Sequence, residues 1–153
     1  MNLIRGIFAL IVSVFLGVHI SNKYKEKTNF YVSFKNFNTL LKNEVSFSKN
    51  TRLDVVDKLI ENNEFNIVIK NYFNKNELIL NKGYLTIEEK EFFKNYLENV
   101  GAGDADSQLK YFDIIHNAIE EKRVQALADE KKFKPLCIKL SVLIGLILFI
   151  ILI

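Results

Sequence analysis

Three common structural devices are scarce in this chain, and each scarcity excludes something. Cysteine occurs once, as Cys137, which rules out an internal disulfide framework and a thiolate zinc cluster. Proline occurs once, as Pro135, and glycine six times; with so few breakers, the apolar spacing of the middle of the chain reads as mostly helical. One-sided charge is lacking too. The 21 basic and 18 acidic residues leave a net charge of +3, and the two signs are interspersed, so the electrostatic footprint of a nucleic-acid binder is absent.

What is plentiful is apolar, 49% of the chain, and it gathers at the two ends. "LIRGIFALIVSVFLGVHI", Leu3 to Ile20, is apolar except for Arg5, Ser13 and His19, and "LCIKLSVLIGLILFIILI", Leu136 to Ile153, except for Lys139 and Ser141. Each matches the roughly 18 to 20 residues that cross a bilayer as a helix. The first has the basic start of a signal peptide but no small-x-small pair to close it, since Phe15 stands two places before Gly17 and His19 two before Ser21; a retained anchor is expected. Lys23, Lys25 and Lys27 follow the first run, Lys131, Lys132 and Lys134 precede the second, and Arg5 alone lies on the far side. Basic flanks favour the cytoplasm. The expected organisation is a membrane anchor over 1–21, a cytoplasmic helical domain over 22–134, and a transmembrane helix over 135–153 from which Lys139 snorkels.

Abundant Asn, Lys, Ile and Phe suggest an AT-rich coding genome and account for much of the polar composition without invoking function. In the middle, Phe30, Phe34, Phe37, Leu41 and Val45 recur at steps of three and four, one face of a helix running from about Thr28 to Phe47. Thr51 and Asp54 form a variant capping box ahead of Leu53, Val56, Leu59 and Ile60. A helix over about Glu64 to Phe73 offers Phe65, Val68, Ile69, Tyr72 and Phe73. "KNELILNKGYL" is a short strand, a helical turn or an apolar loop, broken at Gly83. Thr86 then caps a helix whose first turn holds Glu88 and Glu89, favourable against the dipole, with Ile87, Phe92, Phe93, Tyr96, Leu97 and Val100 apolar. A long helix follows from about Asp104 to Phe133, carrying Leu109, Phe112, Ile115, Ile119, Ala126 and Leu127. Pro135 suits the first turn of the terminal span.

"VGAGDADSQLKYF", Val100 to Phe112, is the stretch in which metal or phosphate chemistry would be sought. Asp104 and Asp106 open like a calcium loop, but the place of its bidentate Glu is held by Ile115 and that of its glycine by Leu109, so the ligand set fails. Gly101 and Gly103 lack the Gly-Lys-Ser/Thr ending and preceding strand of a phosphate loop. As a joint between helices every residue fits: Gly101 ends one helix at positive φ, Gly103 sits at the N-cap place, and Asp104 and Asp106 occupy the first turn of the next. His19 and His116 have no ligand-spaced neighbours, and no nucleophile elbow or paired-carboxylate setting is present. No catalytic residue, metal or cofactor is expected.

The N-terminal span, "YKEK" (Tyr24 to Lys27), "LLKNEVSF" (Leu40 to Phe47), "TRLDVV", the glycine joint and the C-terminal span together resemble the stage III sporulation protein AB family of endospore-forming bacteria. That family's joint reads roughly L-G-x-S-D-x-x-x-Q, and "VGAGDADSQ" keeps Gly101, Asp104 and Gln108 at this spacing; "KYFDIIHNAIEEKRVQA" is similar to its long helix. Gly103 and Val100 depart from the family's Ser and Leu, Thr51 lacks the usual following Pro and lies one residue later after Glu44, and the region from Asn74 to Tyr84 is shorter. The resemblance implies a helical domain similar to the type II secretion F domain, a mother-cell membrane facing the forespore, a channel complex, and a cytoplasmic ATPase as partner along with other membrane components. The expected function is thus a non-enzymatic membrane scaffold, with no small-molecule substrate, whose partner-binding candidates are Tyr24, Glu44, Gly101, Asp104 and Gln108. The alternative from a different class is a small holin-like pore, suggested by the two apolar spans.

Overall fold

The computed structural model describes residues 2–47, 64–75, 78, 80 and 83–152, and the Thr51-capped helix of the sequence reading lies outside them. Among the described residues the protein is all-α, with four helices and no strand: α1 (Asn2–Phe47), α2 (Glu64–Lys75), α3 (Ile87–Asn99) and α4 (Ala105–Leu152). The chain divides into two compact units, one of Met1–Asn29 with Val124–Ile153 and one of Phe30–Arg123. Both α1 and α4 supply residues to each.

Two expected helix boundaries do not exist. The first apolar run and the helix expected from Thr28 are one helix, α1, because nothing between Ile20 and Phe30 breaks it. Ser21 and Thr28 turn their hydroxyls back onto the carbonyls of Val18 and Tyr24, at 2.9 and 3.2 Å, as such residues do inside helices. Likewise Pro135 does not open a terminal helix but lies within α4. Its ring nitrogen leaves the carbonyl one turn earlier, that of exposed Lys131, without its usual donor.

In the first unit the two helices run antiparallel and touch through small residues. The Ser13 hydroxyl donates to the Ser141 carbonyl at 2.6 Å. A Cβ placed on Gly17 would overlap the Ser141 side chain, one on Gly145 would stand 3.3 Å from the Leu10 Cα and the Ser13 Cβ, and one on Gly6 2.9 Å from the Phe149 ring. Tyr24 stacks on Phe133 with ring centroids 5.5 Å apart. Ser13, Gly17 and Ser21 recur every fourth residue, as do Ser141 and Gly145, so each helix offers one narrow flat strip on which backbones approach closely. Large apolar side chains such as Ile4, Phe8, Ile11, Phe15, Leu143, Ile147 and Ile151 point away from this seam and are exposed. Only 17% of the apolar window of α1 and 11% of that of α4 is buried. A core helix of a soluble domain would bury most of it; these two are long and apolar enough to cross a membrane.

The second unit has an aromatic core. Phe34, fully buried, lies 4.9 Å from Phe93, 4.8 Å from Tyr96, 5.9 Å from Phe92 and 6.2 Å from Phe65, ring centre to ring centre. Phe30 meets Phe65 and Phe93 edge-on at 5.4 and 5.2 Å, the arrangement that ring quadrupoles favour. Of the predicted stripe, Phe30, Phe34, Phe37 and Leu41 are buried while Val45, near the end of α1, is only half-buried; Phe65, Ile69, Phe93, Tyr96, Leu97, Val100, Phe112 and Ile119 are also buried. Ile87 is not: it is 84% exposed, because the first helical position after Thr86 falls off the face carrying Phe93 and Leu97. Leu80 and Leu85 are buried outside any helix, so the ambiguous leucine stretch docks on the core as an apolar loop where it is described. Thr86 makes a complete capping box, accepting from the Glu89 amide at 3.2 Å while Glu89 accepts from its own at 2.9 Å.

Candidate docking surface and helix joint

The joint between α3 and α4 is closed by Gln108. Its side-chain oxygen accepts from the Gly101 amide at 3.0 Å, and its amide nitrogen donates to the Asn99 carbonyl at 3.1 Å and to that of Ala102. The Asn99 carbonyl also accepts from the Ala102 amide at 3.2 Å, so Gln108 reinforces a turn that the backbone itself makes at the end of α3. The glycines turn the chain here with φ of 78° at Gly101 and 98° at Gly103, values that side chains disfavour. Asp104, not Gly103, is the N-cap of α4: its carboxylate accepts from the Ser107 amide at 2.8 Å and its carbonyl from that of Gln108 at 3.0 Å. An aspartate competes well for this place because its side chain reaches the exposed amides, which glycine cannot. The Ser107 donors hold the Asp104 carboxyl below its usual range.

The five candidate residues therefore fall into two groups. Gly101, Asp104 and Gln108 come together in the joint; Gln108 is buried, while Gly101 and Asp104 are exposed. Tyr24 is in the first unit, half-buried against Phe133, and Glu44 is half-buried near the end of α1 in the other unit. Of the five, Gly101, Asp104 and Gln108 are the ones whose contacts place them together.

Gln108→Ala removes three part-buried hydrogen bonds to backbone of exposed residues, groups that water can partly satisfy, so unfolding in mild detergent should show a loss of about 0.5–1.5 kcal/mol. Gln108→Glu should cost more at neutral pH, since a carboxylate would face the Asn99 and Ala102 carbonyls. Its folded-state pKa is then raised, so the variant should lose stability as pH rises above about 4.3. A flat pH profile for this variant would show that Gln108 does not hold the joint.

Sequence reading missed the polar ties between α1 and α4 in the second unit. Buried Asn38 donates to the Phe112 carbonyl at 3.0 Å. Glu120 accepts from Arg123 at 2.6 and 2.8 Å and pairs with Lys35 at 3.0 Å, and Lys42 pairs with Asp113. Only the Glu120–Arg123 spacing of three was visible in the sequence as a helical pair. The Arg123 and Lys35 donors pull the Glu120 carboxyl down from 4.5 to about 2. A depressed pKa stabilises the folded state above the unfolded value of 4.5, and that contribution disappears as pH falls through about 2. The groups are about a third exposed, so screening limits the effect to about 0.2–1 kcal/mol. Glu120→Gln should flatten this acid limb of the stability curve; an unchanged limb would assign it to other carboxylates.

The joint offers backbone caps rather than reagents. Burial pushes the Tyr96 hydroxyl well above its ordinary value, and burial with the nearby Glu89 carboxylate does the same at Tyr31. Among the described residues no three His, Cys, Asp or Glu side chains converge to hold a metal ion.

Comparison with known proteins found one family. The family model for stage III sporulation protein AB matches residues 58–153, a stretch that includes α2, the buried leucine loop, the capping box, the joint and all of α4. No curated protein and no solved structure matches. The matched region covers more than half of the chain and contains the Gly101–Asp104–Gln108 joint, and on that basis the protein belongs to the stage III sporulation protein AB family, a family of sporulation-stage proteins not known as enzymes.

Proposed function

We propose that the protein is a non-enzymatic scaffold of a sporulation membrane complex, held in the mother-cell membrane facing the forespore by its helical hairpin. Its aromatic-cored unit faces the cytoplasm, is similar to the type II secretion F domain, and docks a cytoplasmic ATPase and other membrane components of a secretion-like channel. The family match carries this reading. The exposed apolar faces of α1 and α4 and the lysines at their cytoplasmic ends support the membrane placement. The pore alternative loses support from the seam, because the Ser13 and Ser141 hydroxyls are committed to backbone carbonyls at 2.6 and 2.8 Å rather than available to line a water path.

Binding of the full chain in detergent to the ATPase encoded nearest its gene tests the proposal. Saturable binding is expected. Asp104→Asn, which keeps an N-cap but removes the charge, and Glu44→Gln should weaken binding without lowering the melting temperature if these residues are contacts. A folded protein that binds no ATPase, or that alone makes liposomes conduct, would overturn the scaffold reading.

A further inference from the structure

The antiparallel register of the first unit does more than pair two apolar helices. By stacking Tyr24 on Phe133, it brings the α1 turn holding Lys23, Lys25 and Lys27 level with the α4 turn holding Lys131, Lys132 and Lys134. Lys23, Lys25, Lys131 and Lys132 are exposed. Three carboxylates, Glu26, Asp129 and Glu130, stand among the six lysines, and Glu130 is engaged by Lys134 at 3.4 Å. The Lys132 ammonium lies 5.1 Å over the Phe133 ring. On one side of this collar the exposed surface is the apolar flank of the two spans. The site thus joins ammonium groups to an acyl-chain-facing wall through an aromatic pair, which is the amphipathic contact expected at a headgroup layer.

We propose that the two turns form one composite site for anionic phospholipid headgroups. Lysine ammonium groups supply the charge, and the Tyr24–Phe133 pair fixes their spacing. Neither helix alone places four exposed lysines at one level; the tertiary register does. A polybasic cluster beside a membrane span attracts anionic lipid strongly enough for a selectivity of about fivefold or more. The inference rests on the membrane-hairpin reading above.

The test uses the full chain reconstituted in phosphatidylcholine vesicles containing a trace of spin-labelled phosphatidylglycerol or spin-labelled phosphatidylcholine. The fraction of each lipid immobilised by the protein is compared. Phosphatidylglycerol should be preferred about fivefold at low salt, with the preference falling as salt rises from about 0.05 to about 0.5 M. Combined Lys23→Gln, Lys25→Gln, Lys131→Gln and Lys132→Gln should bring the ratio near one, while Lys94→Gln, in the other unit, should leave it unchanged. Should the fourfold variant fail to reconstitute, the wild-type salt titration decides alone. Equal immobilisation of the two lipids by inserted wild-type protein would overturn the site while leaving the hairpin intact; release of the chain from membranes by alkaline carbonate would overturn the hairpin itself. Loss of the preference in a few millimolar inorganic phosphate at constant ionic strength would replace the lipid with a free phosphate ion as the ligand.

Discussion

Gly17→Val should open the helical hairpin. A Cβ at position 17 overlaps the Ser141 side chain and stands 3.2 Å from the Cys137 carbonyl. The obstacle includes the Ser141 Cβ, which is attached directly to a helix backbone, so relief requires the helices to separate rather than a side chain to swing away. Overpacking commonly costs about 1–3 kcal/mol. At a seam where the two helix backbones approach this closely, a value at the upper end is expected. The single cysteine provides the readout. Cys137 is half-buried and adjoins Gly17 through its own carbonyl, so maleimide labelling in mild detergent should accelerate in Gly17→Val as the thermal midpoint drops. Gly17→Ala should show a smaller form of the same change, and adding Ser141→Gly should reverse much of it, because the colliding Cβ is then gone while the Ser13 bond to the residue-141 carbonyl can persist. Wild-type labelling and melting in Gly17→Val would mean that the spans do not pair through this strip.

Phe34→Ala should be the most damaging change in the other unit. Phe34 has no exposed surface and meets rings from α1, α2 and α3 at once. Truncating a buried phenylalanine costs about 3–5 kcal/mol when the neighbours cannot collapse into the space, and rings anchored on separate helices collapse poorly. Against a typical total stability of about 5–15 kcal/mol, the unit should lose cooperative unfolding near physiological temperature. Near-ultraviolet dichroism and amide exchange within Phe30–Arg123 would report the loss, while the chain stays in the membrane fraction. A destabilisation below about 1 kcal/mol would show that the aromatic cluster is not the core.

The elements that were legible in the sequence are those whose signal is local. Thr86 with Glu89 is a complete cap in four residues, and Phe30, Phe34, Phe37 and Leu41 keep a strict helical spacing, so cap and buried face both emerged as read. Helix ends were less legible where breaker chemistry misled. Pro135 is a boundary signal by residue type, yet it lies within α4. Gly103 stands at the N-cap place by residue type, yet Asp104 takes it because its carboxylate reaches the Ser107 amide. Ser13, Gly17 and Ser21 did carry a signal, small residues at every fourth position, but its meaning depended on a partner strip more than a hundred residues away.

The sequence by itself determined that the chain is helical, that its apolar ends are long enough to cross a bilayer, and that its glycine joint is structural, because composition, periodicity and capping act over a few residues. Only the tertiary structure decided that Gln108 closes the joint, that Glu120 faces Lys35, and that Ser13 and Gly17 meet Ser141. It alone set six lysines at one level around Tyr24 and Phe133. Those outcomes depend on which faces of distant helices meet and in what register, and register comes from the packing of whole surfaces rather than from any single residue.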